Sequence, residues 1–257
     1  MFKSSGVALV STVLGIGALV AVSGSAFAWN DTQSTYCKRG FYAGVEAGVD
    51  NTHYDAADLL SEARTANIYN TGISSLTTPY NPIFINGNVD DQGVGGRIFA
   101  GYQYNPFFAV EAGFTQFHKT TFVGAADNVI SRKVSGGTSS SFDQYSGELT
   151  EHAIDVVGKL TYPMQYGFGV FAKLGAAFIA SDRHINTTLI TSGGSAIPQN
   201  TFYTKSYQAI RPTYGAGIDY TIPNSSLDVD VAYSEIAGGG GISRAGLISL
   251  GISEKFA

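Results

Sequence analysis

Apolar and polar residues alternate with a period of two across residues 93–117. Val94, Ile98, Ala100, Tyr102 and Tyr104, then Phe108, Val110, Ala112 and Phe114, make one series; Gly95, Arg97, Gly101 and Gln103, then Ala109, Glu111, Gly113 and Thr115, make the other. Such alternation, interrupted only at Asn105-Pro106, predicts two antiparallel strands joined by a tight turn. The two apolar series share a sheet face only if the loop holds an odd number of residues. That places Tyr104 opposite Phe108 and Gly101 opposite Glu111.

The same pattern recurs along the chain. A first strand is predicted over residues 41–49, where Phe41, Ala43, Val45, Ala47 and Val49 alternate with Gly44, Glu46 and Gly48. Further strands are predicted over residues 151–162, 168–179, 209–220, 227–234 and 244–256, which with the hairpin makes eight. The connections alternate in length. Three are short, each contains one proline (Pro106, Pro163, Pro223), and aromatics flank them. The others are predicted loops at about residues 50–92, 118–150, 180–207 and 236–243. Within the first, residues 55–64 have helix-favouring composition and Asp55 as a cap. The second has a Ser/Gly-rich centre at 135–141, and residues 187–190 and 201–204 predict a hairpin that extends the wall past the membrane.

Alternation alone does not say which face is inside. A soluble ligand-carrying barrel turns its apolar face inward, whereas a membrane barrel turns it to lipid. Two features favour lipid. The polar series is built of Gly, Ala and Thr with single charges, which suits a crowded lumen. Aromatics beside the short turns, namely Tyr102, Tyr104, Phe108, Tyr162, Phe168, Tyr220 and Phe256, suit a girdle at a membrane interface. An even strand number, short turns at one rim and long loops at the other predict an all-β, eight-stranded antiparallel up-and-down transmembrane β-barrel. In lipid every backbone group must be paired, so the sheet must close.

Composition agrees: only 14% of residues are charged, and 32 Gly, 15 Tyr and 16 Phe stand against one Trp. A formal charge of −5 offers no basic stripe for nucleic acid. Residues 1–28 read as a cleaved secretory signal, with Lys3, an apolar stretch over 7–22 and the small-x-small site Ala26-Phe27-Ala28. Residues 29–39 then form a periplasmic N-terminal segment, and 40–257 the barrel. No later segment approaches the roughly 20 apolar residues of a membrane helix. Cys37 is the only cysteine and has no internal partner; it reads as a free thiol or as half of an intermolecular disulfide.

The inward series carries Glu46, Arg97, Glu111, Asp155, Lys159, Lys173, Arg211, Asp219, Asp228, Asp230 and Lys255. Unpaired buried ions are costly, so these charges are expected to pair as a plug. The other readings are a solute pathway through rearranging pairs and a cation site at the aspartates. Pairing Tyr220 with Leu227 sets Asp219 opposite Asp228, with Lys255 placed to neutralise them. A hydrolase needs a His near a Ser and an acid. Of His53, His118, His152 and His184, only Ser181-Asp182-Arg183-His184 makes a cluster, and it matches no deacylase pattern. The expectation is no catalytic residues, no metal and no cofactor.

The signal, the strand Gly40-Phe-Tyr-Ala-Gly-Val-Glu-Ala-Gly48, the Gly-Tyr-Gln-Tyr-Asn-Pro-Phe segment and a last strand ending at Phe256 resemble the small eight-stranded outer-membrane barrels, the OmpA transmembrane-domain and OmpX-like group. The resemblance covers nearly the whole mature chain. It implies a Gram-negative outer membrane, insertion by the outer-membrane assembly machinery, termini in the periplasm and loops outside. Members usually end in Phe, whereas this chain adds Ala257 and has Glu254 where an apolar residue is expected. It also leaves no room for the peptidoglycan-binding domain of full-length OmpA-type proteins. The function expected is that of a surface protein whose loops bind a host or matrix ligand, with a narrow porin and a lipid-modifying enzyme as alternatives.

Overall fold

The computed structural model describes residues 39–54, 59, 83–128, 141–191, 196–239 and 241–256. The expected signal, Cys37, the Ser/Gly-rich centre up to residue 140 and, apart from Leu59, the expected helix lie outside the described residues. Among the described residues there are ten strands: β1 (Gly40–Asn51), β2 (Ile83–Asp90), β3 (Gln92–Asn105), β4 (Phe108–Gln116), β5 (Thr120–Asn128), β6 (Ser141–Pro163), β7 (Phe168–Thr191), β8 (Ala196–Thr221), β9 (Leu227–Ile236) and β10 (Ala245–Phe256). β2 and β5 are the outward continuations of β3 and β4. The remaining eight close into a ring, β1-β3-β4-β6-β7-β8-β9-β10, with β10 returning to β1 from Phe41↔Phe256 to Asn51↔Gly246. Every neighbouring pair is antiparallel, so the fold is the closed eight-stranded up-and-down barrel.

The alternation places apolar side chains outside over the lower part of the wall. Ile210 and Leu174 are 73% and 70% exposed, together with Val49, Ile154, Val156, Leu160, Ile218, Val231, Ile248 and Leu250. A continuous apolar surface of this extent is stable only against lipid. Near the short turns it ends in rings that touch in series: Phe41–Tyr102 at 4.9 Å, Tyr102–Tyr104 at 4.9 Å and Tyr104–Phe108 at 5.9 Å. Phe168 and Tyr220 meet at 4.8 Å. At the other end the outward row Phe114–Ile154–Phe178–Ile210 is followed by Gln116–His152–Ala180–Gln208, where apolar character stops. That row is the outer edge of the bilayer-facing band.

The wall continues past it. The hairpin expected at 187–190 and 201–204 is present as the outer ends of β7 and β8. The rest of the segments expected as loops over 118–150 and 180–207 is largely strand too, because β6, β7 and β8 pair on from Glu151↔Ser181 and Ser181↔Tyr207 with β5 and β2 alongside. Their alternation is inverted: Tyr145, Gly147 and Leu149 are buried, whereas Gln144, Ser146 and Glu148 are exposed. Leu59, Phe122, Tyr145, Leu149 and Ile185 form a second core inside this part of the wall. In water the apolar face must turn inward, which satisfies the same period of two with the opposite sign.

Two turn registers differ from expectation. Gly101 does face Glu111, but the hairpin closes at Asn105↔Phe108 with an irregularity after Gln103. The Asn105 side chain accepts the Phe107 N–H at 2.9 Å and tightens the turn to two residues. At the β8–β9 turn the Ile222 N–H donates to the Leu227 carbonyl at 3.0 Å. Tyr220 therefore pairs with Val229, and Asp219 faces Asp230 rather than Asp228.

Candidate functional site

Three layers fill the lumen between the short-turn rim and the outer mouth. The first is charged and built on Arg97, which β3 holds opposite Glu46 on β1 and Thr115 on β4. Its Nε and Nη2 donate to Asp155 at 3.1 and 2.7 Å, and Nη1 reaches Glu46 at 3.2 Å and Glu111 at 3.4 Å. Lys173 bridges the same two glutamates at 3.1 and 2.9 Å. Lys159 lies 4.0 Å from Glu111 and 3.6 Å from Asp219. Lys255 meets Asp228 at 2.7 Å. Forked geometry lets one guanidinium hold Asp155 by two donors and still reach two more carboxylates, four contacts that exceed the three donors of a lysine.

Aromatic rings complete this layer. Lys159 sits 4.2 Å from the Phe171 centroid, Arg97 5.0 Å from Phe99, and the Tyr42 hydroxyl donates to Glu111 at 2.9 Å. Tyr42 and Phe99 are buried lumen residues absent from the expected set, although their even or odd place in the strand already put them inside. The wall yields room for them: a Cβ on Gly113 would lie 2.6 Å from Arg97 Nε, and one on Gly101 2.6 Å from the Tyr42 ring. Asp230 carries a buried Oδ1 without a partner, and Arg211, higher in the wall, a buried Nε in the same state.

The second layer is apolar. Phe117, Ala153, Ala177, Ile179, Ile236, Ile242 and Ala245 pack across the lumen. Ile242 belongs to the β9–β10 connection, which folds inward with a Gly239↔Ile242 bridge and positive φ at Gly239 and Gly241. Glycine alone adopts those angles without strain.

The third layer, at the outer mouth, is polar again and lies beyond the bilayer edge. His118 Nδ1 contacts Asp50 Oδ1 at 2.5 Å, and its backbone N–H donates to the other Asp50 oxygen at 2.5 Å. The Tyr54 hydroxyl donates to Glu151 and lies 3.4 Å from Ser181 Oγ. Arg183 stands 5.3 Å from the Tyr54 ring and 4.4 Å from the Tyr207 ring, and donates to the Gly241 carbonyl. Burial pushes the Glu151 carboxyl up to about 7 against the pull of Tyr54, Ser181 and Arg183. Burial alone would lower His118, but the Asp50 carboxylate outweighs it and holds the ring above the ordinary histidine value.

None of Asp50, Tyr54, Glu151, Ser181 or Arg183 was singled out by the sequence as a lumen group. Glu151 and Ser181 share parity with the barrel's inward series, which is the signal that would have found them. The same parity divides the Ser181–His184 cluster: Ser181 and Arg183 are buried, whereas His184 is exposed and faces Thr204. The serine and the histidine are on opposite sides of the wall. Among the described residues, no group of three His, Cys, Asp or Glu is arranged to hold a metal ion.

A family model described as the OmpA-like transmembrane domain matches residues 38–257. The chain belongs to this family. As an OmpA-like barrel it is a Gram-negative outer-membrane protein, which assigns the apolar band to that bilayer. An uncharacterized protein of Coxiella burnetii is 28% identical over the whole of both chains. Outer membrane protein A of Escherichia coli O157:H7 is 22% identical over 82% of this chain and 49% of its own; the chain spans about half the length of such relatives. Among solved structures, Neisserial surface protein A is 16% identical, with 84% of this chain and 97% of that one covered at a TM-score of 0.43.

Proposed function

We propose that this OmpA-like barrel is a surface protein in which the membrane part is an anchor and the extramembrane wall binds a host or matrix ligand. The observation that supports this is the long continuation of β6, β7 and β8 past the Gln116–His152–Ala180–Gln208 row, with β2 and β5 beside it. Closing an eight-stranded barrel does not need it. With termini on the periplasmic side, as in the family, this wall stands on the cell surface. The charged layer is a structural plug, and the apolar layer above it stands against free passage of ions. The protein acts by binding rather than catalysis.

The test is to replace residues 182–206 with a short turn and compare adhesion of cells displaying each form to host cells and matrix. Loss of adhesion by a variant that still folds and inserts supports the reading. Unchanged adhesion counts against it. A narrow porin is the second reading, favoured by the charged lumen; channel currents of wild type and of Arg97→Ala in planar bilayers test it, and solute-dependent conductance in both would displace the plug.

A further inference from the structure

Among the described residues, the outer mouth is closed by apolar packing of Ile242 and Tyr54 and by several contacts of groups that titrate. Tyr54, just past β1, reaches down to Glu151 on β6. The inward turn of the β9–β10 connection is tied to Arg183 on β7 through the Gly241 carbonyl, and Arg183 also lies against Tyr54 and Tyr207. The two crossing segments meet directly, since the Ser243 hydroxyl donates to the His53 carbonyl at 2.5 Å. Close by, Asp50 of β1 grips His118 of the β4–β5 connector, one residue past Phe117, whose N–H donates to the Glu151 carbonyl at 3.2 Å. Glu151 is 1% exposed and its Oε2 is buried without a partner; His118 Nε2 is likewise buried and unpartnered.

The charged and titratable groups facing this cluster come from every element around it. Among the described residues they include Asp50 on β1, Tyr54 after it, Asp90 at the end of β2, His118, Glu151, Arg183, and Tyr207 on β8. Among the described residues Arg183 is the cation that acts on Glu151, and its contacts include two rings and a carbonyl, while Lys205 lies 4.3 Å from the Tyr207 ring. An ionised Glu151 therefore stays poorly compensated while the mouth is closed. A neutral Glu151 fits there, because it still accepts the Tyr54 hydroxyl. His118 complements this, since its protonated ring adds an ion pair to the Nδ1 contact with Asp50, whereas a neutral ring offers Asp50 at most a hydrogen bond without the charge.

We propose that this layer is a proton-sensitive latch: in mild acid, protonated Glu151 and His118 hold Tyr54 and the β9–β10 turn down over the lumen, and their deprotonation releases both segments. The sign is the same for both groups. Each binds its proton more tightly in the closed mouth than in the open one. The closed mouth is thus most favoured below their ordinary pKa values and loses that advantage as pH rises through the values of the closed form. For Glu151 that passage ends at about pH 7. The latch regulates exposure of the mouth whichever ligand the outer wall binds.

The test is hydrogen–deuterium exchange on the full-length protein refolded in phosphatidylcholine vesicles, at pH 5 and pH 8, corrected for the intrinsic rate of exchange. Peptides covering residues 50–54 and 237–243 should lose protection by at least about tenfold at the higher pH. Those covering the bilayer band should not change. Glu151→Gln should keep the mouth closed at pH 8 and remove most of the difference, and adding His118→Asn should flatten the remainder. Ser243→Ala, which breaks a contact without touching a titrating group, should open the mouth equally at both pH values. Gel mobility with and without heating shows that each variant is folded. Equal protection of the wild type at both pH values, a wild-type slope in Glu151→Gln, or a mouth more open in acid would overturn the proposal.

Discussion

The two halves of β6 make the molecule's main contrast within one unbroken strand. From Ala153 to Val157 the inward residues are Ala153, Asp155 and Val157, and the outward ones, Ile154 and Val156, are each 56% exposed to lipid. From Gln144 to Leu149 the buried residues are Tyr145, Gly147 and Leu149, and the exposed ones are Gln144, Ser146 and Glu148. The period never breaks; only its sign changes, across Thr150, Glu151 and His152. Lipid outside permits polar groups inside, whereas water outside requires an apolar interior. The lower half is therefore held largely by ion pairs, the upper half by packing, and the titrating layer sits at the junction.

The strongest way to break this contrast is at Arg97. Arg97→Ala leaves Glu46, Glu111 and Asp155 short of a cation in a buried layer, and should destabilise the barrel by about 3–5 kcal/mol in urea unfolding from lipid vesicles. A loss no larger than that of a surface pair would show that the lumen charges are not mutually dependent. In the upper half the matching change is Leu149→Ala, at a side chain with no exposure. It should cost about 2–5 kcal/mol, read as faster exchange in residues 141–149 and 181–191 while the bilayer band stays protected. Loss of protection throughout the barrel would mean that the two halves unfold as one.

A charge on the outer face sharpens the boundary between them. Leu174→Arg, in the middle of the apolar band, should cost about 2–4 kcal/mol. Thr204→Arg, exposed beyond the polar row, should leave vesicle unfolding unchanged; equal effects would misplace the bilayer edge. The smallest effect belongs to the exposed Lys119–Glu148 pair, where both side chains are 52% exposed. Lys119→Ala should cost less than about 1 kcal/mol, and less again in high salt.

The sequence made the barrel legible wherever its outward face was apolar. Residues such as Ile154, Leu174 and Ile210 announce a lipid-facing strand, and prolines at the short turns mark one rim. For the same reason it showed little of the upper wall beyond the hairpin at 187–190 and 201–204. Residues 144–149 and 181–186 alternate too, but their outward positions, Gln144, Ser146, Glu148, Asp182, His184 and Asn186, are polar, so they resemble loop. The lumen charges followed from parity, as did Tyr42 and Phe99 once parity is applied without regard to residue type. Turn registers were less legible, because side-chain bonds at Asn105 and the Ile222–Leu227 closure shift pairing without altering the pattern.

Period and composition by themselves determined an eight-stranded barrel in a membrane and which side chains enter its lumen, because a strand's side chains must alternate whatever surrounds it. Tertiary structure decided the partners. Arg97 gathers carboxylates from three other strands, Asp219 faces Asp230, and Tyr54 crosses the mouth to Glu151 from nearly a hundred residues away. Those choices depend on register and on how loops fold back over the lumen. Neither is encoded in the alternation of a single strand, because shifting a strand by two residues leaves every side chain on its own face while changing all of its neighbours.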